Sequence, residues 1–128
     1  MNLEKVLFGF FILLAATLNF GFVIGDIDEP AHHNEYELFA AIVVNLVATV
    51  FKFGDRTQIG AVHLASSLVA VLQLIGAAVV WAYAEHVAPG GMTPHLMASV
   101  VSLAGGALFA NVVSVVLLVI ETVSFHRR

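Results

Sequence analysis

Four long apolar stretches, separated by short polar connections, dominate this chain and limit what it can fold into. They cover about residues 5–24, 36–53, 59–84 and 94–122. Hydrophobic residues make up 60% of the 128 positions, only 11% are charged, and the mean hydropathy is +0.98. So few polar residues cannot cover a soluble globule of this size. Each stretch is near the length of a membrane-crossing helix. The sequence therefore predicts an all-α membrane protein, with residues 1–128 forming one four-transmembrane-helix bundle.

Basic residues occur only at every second connection. Lys5 precedes the first stretch, Lys52 and Arg56 lie between the second and third, and Arg127 and Arg128 follow the fourth. The other two connections contain no Lys or Arg. Because basic residues are retained on the cytoplasmic side of a membrane, this pattern predicts that both termini are cytoplasmic. The first stretch is longer than the usual signal-peptide core, and we expect it to be an uncleaved span.

The second stretch is the short one. Only residues 38–51 are uncharged between Glu37 and Lys52. These residues would rise about 21 Å as a helix, less than the ~30 Å hydrocarbon core. We therefore expect Lys52 to extend to the membrane surface. A re-entrant segment is the alternative, but it would place both flanking connections on one side and disturb the charge pattern.

Amide side chains fall inside the predicted spans. Asn45, Gln73 and Asn111 lie near the middle of the second, third and fourth spans, and Asn19 lies nearer the outer end of the first. An amide that faces lipid leaves its donors and acceptors unpaired, so these groups should face each other or water. Two interpretations follow. The amides form hydrogen bonds between helices, or they line a polar route across the membrane.

Small residues recur at every fourth position of the last span. This small-residue ladder consists of Ala98, Ser102, Gly106, Ala110 and Ser114. Such a face lets a neighbouring helix approach closely. The ladder predicts a helix-packing face, either within one chain or in a homo-oligomer.

Carboxylates and histidines cluster in the two connections predicted to face outward. The acidic residues are Asp26, Asp28, Glu29, Glu35, Glu37 and Glu85. The cluster is a solvated loop, an acidic funnel that gathers cations at a pore mouth, or a metal site. His32, His33 and Glu35 suit Zn²⁺ chemically, although adjacent loop histidines lack the i,i+4 spacing of helical zinc ligands. The histidines could also titrate at about pH 6–7 and make the cluster pH-responsive.

Several functions are disfavoured. No charged residue lies near the middle of a span, which argues against proton transport by a buried carboxylate and against a divalent-cation cage. His63 and Glu121 lie near the cytoplasmic ends of their spans and suggest interfacial residues. With no nucleophile–base pair and no complete metal triad, an enzyme is not expected. Five basic residues do not make a nucleic-acid-binding stripe.

Three segments carry a resemblance to a known family. They are residues 2–11 (NLEKVLFGFF), 25–30 (GDIDEP) and 53–60 (FGDRTQIG). They resemble those of an uncharacterised bacterial family of small four-span inner-membrane proteins, and the similarity extends over nearly the whole chain. The resemblance implies location in a bacterial inner membrane. It implies no activity and assigns no functional residue.

From these features we predict a homo-oligomeric cation channel or passive cation-transport component, with monovalent ions favoured. Membrane lipid, cations and further copies of the chain are its expected partners, and no cofactor is expected beyond a cation or Zn²⁺ bound at the outer face. The alternatives are a non-conducting accessory or assembly subunit, and a sensor of metal or pH on the periplasmic side.

Overall fold

The computed structural model describes residues 3–126. Asn2, Arg127 and Arg128, on which part of the sequence argument rests, lie outside this range. The four helices are α1 (Leu3–Val23), α2 (Glu35–Lys52), α3 (Gln58–His86) and α4 (Pro94–His126), and a short 3₁₀ helix, Pro30–His32, precedes α2. Residues 3–126 contain no β-strand. The predicted all-helical fold is thereby confirmed.

Three of the four helices are long and apolar enough to cross a membrane. They are Leu3–Val23, Gln58–His86 and the Pro94–Ser124 part of α4. Helix α2 has only 18 residues and carries Glu35, Glu37 and Lys52 at its ends. These helices are compatible with a membrane protein, whereas a fourth span through α2 stays a prediction.

Polar side chains define where α2, α3 and α4 begin. Asn34, Thr57 and Thr93 each accept a hydrogen bond from a backbone N–H in the following first turn, at 2.8, 3.0 and 3.2 Å. The first N–H groups of a helix have no partner within it, so such caps stabilise the start by about 1 kcal/mol each. Pro94 occupies the first position of α4, where its missing N–H costs nothing.

The helices form a ring in which each one contacts two neighbours. Helix α1 packs on α2 and α4, and α3 packs on the same two. We name the two ends of the bundle for reference. The inner end contains the starts of α1 and α3 and the ends of α2 and α4. The outer end contains the 24–34 and 87–93 connections.

Apart from Asn19, the outer half of the bundle interior is largely apolar. Its fully buried apolar side chains include Phe22, Leu38, Leu74, Ala77, Met97, Val100 and Ala104. We call these residues the apolar layer. The interior of the inner half has a different composition.

Candidate functional site

Polar side chains fill much of the bundle interior in the inner half. We call them the polar column. It consists of Asn45 and Thr49 of α2, His63 and Ser67 of α3, and Asn111, Ser114 and Glu121 of α4. All but Glu121 are buried, and Glu121 is 16% exposed at its side chain. The apolar residues Phe8, Ile12 and Ala48 share this half of the interior.

The helix register places the two asparagines of the column at one depth. Phe11 of α1 stacks on Phe51 of α2, with ring centroids 5.8 Å apart, and Gly9 of α1 lies against Leu118 of α4. Counting along the antiparallel helices from these pairs puts both asparagines level with residues 16–17 of α1. Ten residues separate Asn111 from Glu121, so the column extends about 15 Å inward, roughly half of a hydrocarbon core.

Most of the column's polar groups make no hydrogen bond to another helix. Asn45 donates to Ala41 O of its own helix at 2.9 Å, and Thr49 donates to Asn45 O at 2.7 Å. A cross-helix bond joins the hydroxyls of Ser66 and Ser114. In the column, the buried polar atoms without a partner in the described residues are Asn45 Oδ1, Ser67 Oγ, both ring nitrogens of His63, both amide atoms of Asn111 and Glu121 Oε1.

Asn19 behaves differently from the asparagines of the column. With its amide oriented by its neighbours, it donates to Ala104 O and accepts from Leu108 N–H, each at 3.0 Å. Its side chain therefore joins α1 to the backbone of α4. Of the two interpretations open for the amides, hydrogen bonding between helices describes Asn19.

Gln73 and the small-residue ladder lie where α3 meets α4. Gln73 lies directly against Gly106, at a place where any Cβ would collide with the amide, and its Oε1 is buried without a partner in the described residues. Ala110 and Ser114 are buried, whereas Ser102 is exposed and Ala98 is partly buried. Each step of four residues drifts about 40° around a helix. The ladder therefore packs on α3 at its inner half and turns outward at its outer half.

A histidine–carboxylate pair lies at the inner end of the column. His63 is fully buried, and its Nε2 lies 4.0 Å from Glu121 Oε1. The other carboxylate oxygen, Oε2, accepts from Lys5 Nζ at 3.0 Å. Glu121 thus connects the buried imidazole to the partly exposed Lys5. The ring of Phe8 packs edge-on against His63, with centroids 4.9 Å apart.

Lys52 lies at the inner end with its side chain buried, and the expectation that it extends to the membrane surface stays a prediction. Its side chain is 8% exposed, and its Nζ lies 3.4 Å from Asp55 Oδ2 and 4.3 Å above the Phe8 ring. The Asp55 carboxylate and the aromatic face both attract the ammonium group. Asp55 also accepts from the hydroxyl of Thr57 at 2.6 Å and from its backbone N–H at 2.9 Å. These bonds, the hydroxyl foremost, lower the pKa of Asp55 below its ordinary value.

Two cavities open at the inner end. One, of about 360 Å³, is lined by Lys5, Thr57, Gln58, Ile59, Ile120, Glu121 and Ser124. The other, of about 330 Å³, is lined by Glu4, Lys5, Lys52, Gly54, Asp55 and Arg56. Lys5 borders both cavities. Through Glu121, the first cavity reaches the polar column.

The two loop histidines bind the backbone of their own loop. His32 Nδ1 accepts from the N–H of Asp26 at 3.0 Å. His33 is buried, with its Nδ1 2.6 Å from Phe22 O and its Nε2 2.8 Å from Asp26 O. Gly25 permits this fold because its φ of +112° is one that other residues rarely adopt. The described residues contain no group of three metal-ligating side chains, so His32, His33 and Glu35 do not converge on a zinc site.

The acidic residues of the outer end are spread over its surface. Asp26, Asp28, Glu29 and Glu85 are exposed, whereas Glu35 and Glu37 are partly buried at the start of α2. The Glu37 carboxylate lies against Gly21 of α1. These carboxylates leave the outer end negatively charged, and no Lys or Arg occurs in residues 24–34 or 85–95.

The burial of Asn45 and Asn111 inside one chain limits where a polar route past them could run. A ring of copies around an axis lined by these amides would require them on the outer surface of the bundle. Both are fully buried within the single chain. A polar route past them would run through one protomer, whatever the oligomeric state.

The sequence indicates an interfacial position for His63, because the residue lies near the end of a predicted span, and its burial was not predicted. A signal was present, however. His63 and Ser67 continue the stripe that Ala70, Leu74 and Ala77 form at intervals of three and four residues. Residues at this spacing share one helix face. The same face that is apolar in the outer half is polar in the inner half.

Residues 32–122 match the family model described as a family of unknown function, DUF6394. The matched range covers α2 and α3 and nearly all of α4, and it leaves out α1. No curated protein and no solved structure matches the chain.

Proposed function

We propose, for a chain that belongs to the DUF6394 family of unknown function, that it is a passive cation-transport component of a bacterial inner membrane. The expected resemblance to an uncharacterised family is thus confirmed, and it supplies no activity. In this proposal the bundle spans the membrane four times with both termini in the cytoplasm. The polar column is the inner half of a cation path inside each chain.

The observation that carries this proposal is that seven atoms of the polar column are buried without a protein partner in the described residues. An unsatisfied buried polar atom costs about 1–3 kcal/mol. If all seven atoms had no hydrogen-bond partner at all, they would lower the free energy of unfolding by roughly 10 kcal/mol, which is as much as the whole stability of a typical fold. Water or a passing ion would satisfy these groups. Asn45 and Asn111 therefore differ from Asn19, whose partners are already in the protein.

The chemistry of the column favours a monovalent cation. Its inner surface presents hydroxyl, amide and imidazole groups, and its one carboxylate, Glu121, lies at the inner mouth. Such dipoles replace a monovalent hydration shell more readily than a divalent one, which usually needs several carboxylates. At the outer end, Asp26, Asp28, Glu29 and Glu85 would raise the local cation concentration.

The apolar layer supplies the gate in this proposal. Phe22, Leu38, Leu74 and Met97 are fully buried between the column and the outer end. Hydrophobic constrictions can close channels by excluding water. The arrangement therefore corresponds to a closed path, in which water fills the polar column and is excluded from the apolar layer.

A second candidate function is a non-conducting accessory subunit. The same apolar layer favours it, because a permanently dry outer half would conduct nothing. In that case the exposed outer part of the ladder, around Ser102, would dock a partner helix.

Ion flux through purified protein in liposomes tests the proposal. We expect cation flux from the wild type and a loss of at least tenfold in Asn45→Leu and Asn111→Leu. Asn19→Leu is the matched control, since it removes a buried asparagine that lies outside the column, and its flux per folded molecule should be unchanged. Absence of flux from the wild type would favour the accessory subunit, and full flux from folded Asn111→Leu would overturn the polar column as the cation path.

A further inference from the structure

The inner end of the polar column differs from the rest because its groups are ionisable. His63 is fully buried, both its ring nitrogens lack a protein partner in the described residues, and Glu121 Oε1 lies 4.0 Å from Nε2. Ser67 follows His63 by one helical turn on the same face, and its hydroxyl is also buried without a partner among these residues. A proton acceptor thus lies between a carboxylate at the mouth and the neutral polar groups further in.

We propose that the cation carried is the proton, and that Glu121 and His63 relay it at the inner mouth. This inference rests on the proposed transport function and names its substrate. It revises the sequence argument against proton transport, which considered only carboxylates near the membrane centre. A buried imidazole can carry a proton where no carboxylate is present.

The transfer is balanced in protons and electrons. A protonated Glu121 gives its proton from Oε1 to Nε2 of neutral His63, which becomes an imidazolium. The imidazolium then releases the proton on Nδ1 to a water held by Ser67. One proton enters and one leaves, and no electron moves. Turning the ring over then brings its unprotonated nitrogen back to the Glu121 side for the next transfer. The 4.0 Å separation exceeds a hydrogen bond, so the first step uses one bridging water or an approach of about 1 Å.

The charges around His63 favour a proton over a metal cation. The charged groups that face it are Lys5 from α1, Lys52 from α2, Asp55 from the connection and Glu121 from α4. Each ammonium group is paired with one of the two carboxylates, Lys5 with Glu121 at 3.0 Å and Lys52 with Asp55 at 3.4 Å. Neither carboxylate is therefore available by itself to coordinate a metal cation. A proton passes along hydrogen bonds instead, and it needs no coordination shell of six or more oxygens.

Proton flux into liposomes, driven by a K⁺ diffusion potential and followed with an internal pH dye, tests the inference. We expect His63→Gln and Glu121→Gln each to reduce the proton flux at least tenfold relative to the wild type. His95→Gln, at an exposed histidine near the outer end, is the matched control and should keep it. In the wild type the flux should change with internal pH, and His63→Gln should abolish that dependence.

Chemical rescue separates a proton-carrying role from a structural one. His63→Ala opens space beside the 360 Å³ cavity, and added imidazole should restore at least a third of the lost flux. Pyrrole, a ring of the same size without an accepting nitrogen, should restore none. Unchanged proton flux in folded His63→Gln, or equal rescue by both rings, would overturn the inference.

The two proposals fail in different ways. K⁺ or Na⁺ flux without proton flux in the wild type would overturn the proton relay and keep the cation-transport function. Absence of flux for all three ions would remove both.

Discussion

Replacing each of two buried asparagines by leucine should change stability in opposite directions. Asn19 and Asn111 are both fully buried, and leucine has the same branching and the same number of side-chain heavy atoms as asparagine. Their hydrogen bonds differ, because Asn19 makes two bonds of 3.0 Å to the backbone of α4, whereas neither amide atom of Asn111 has a protein partner in the described residues. The substitution therefore removes bonds at one site and removes only unpaired polar atoms at the other.

The expected magnitudes follow from these contacts. Asn19→Leu loses two hydrogen bonds, each worth about 0.5–1.5 kcal/mol, so its free energy of unfolding should fall by about 1–3 kcal/mol. Asn111→Leu removes two polar atoms whose burial costs up to about 3 kcal/mol each if they are dry. If water fills the column, much of that cost is already relieved. We therefore expect Asn111→Leu to raise the free energy of unfolding by about 1–3 kcal/mol.

The assay is reversible unfolding in detergent micelles, followed by far-ultraviolet circular dichroism and by the fluorescence of Trp81. Trp81 is the single tryptophan and packs near Phe22, with ring centroids 6.1 Å apart. A more stable Asn111→Leu that transports nothing would show that Asn111 is kept for function. Equal destabilisation of both variants would refute the reasoning, because it would mean that Asn111 makes bonds of the same worth as Asn19.

Two further predictions concern packing at the inner end and between α3 and α4. Thr57 lowers the pKa of Asp55 from its ordinary 3.8, so the ionised carboxylate stabilises the fold fully above about pH 4 and this contribution is lost as pH falls through the lower folded value. Asp55→Asn should flatten the acid limb of a stability profile measured from pH 6 to 2, and an unaltered limb would contradict this account. Gly106→Ala should change the free energy of unfolding by no more than about 1 kcal/mol, because the new Cβ meets only the flexible end of the Gln73 side chain and alanine gains about 1 kcal/mol over glycine inside a helix. The double variant with Gln73→Ala should be more stable than the sum of the two single changes, and strict additivity would exclude the proposed contact.

The helices could be predicted from sequence because apolar length and capping residues act locally. Each predicted stretch corresponds to one helix, with ends that differ by no more than four residues. The depth of Asn45 and Asn111 followed from the same counting. No property of the stretches themselves showed whether these amides face a neighbouring helix or a neighbouring chain, because that depends on how each helix is rotated.

The contacts of the site could not be predicted because they join distant segments. Lys52 lies buried against Phe8 and Asp55, and both contacts depend on how α1 and the 53–57 connection fold. His33 binds two backbone carbonyls only because Gly25 turns the loop back on α1. Residue spacing along one segment contains no information about such partners.

The ion pair between Lys5 and Glu121 joins residues that are 116 positions apart in the sequence. During synthesis the first helix is made long before the last. The ion pair can form only after three further helices have been made, so the inner end is completed with the final turns of α4. A chain interrupted before Glu121 lacks the acidic neighbour of His63, so under the proposed relay an unfinished copy would conduct no protons.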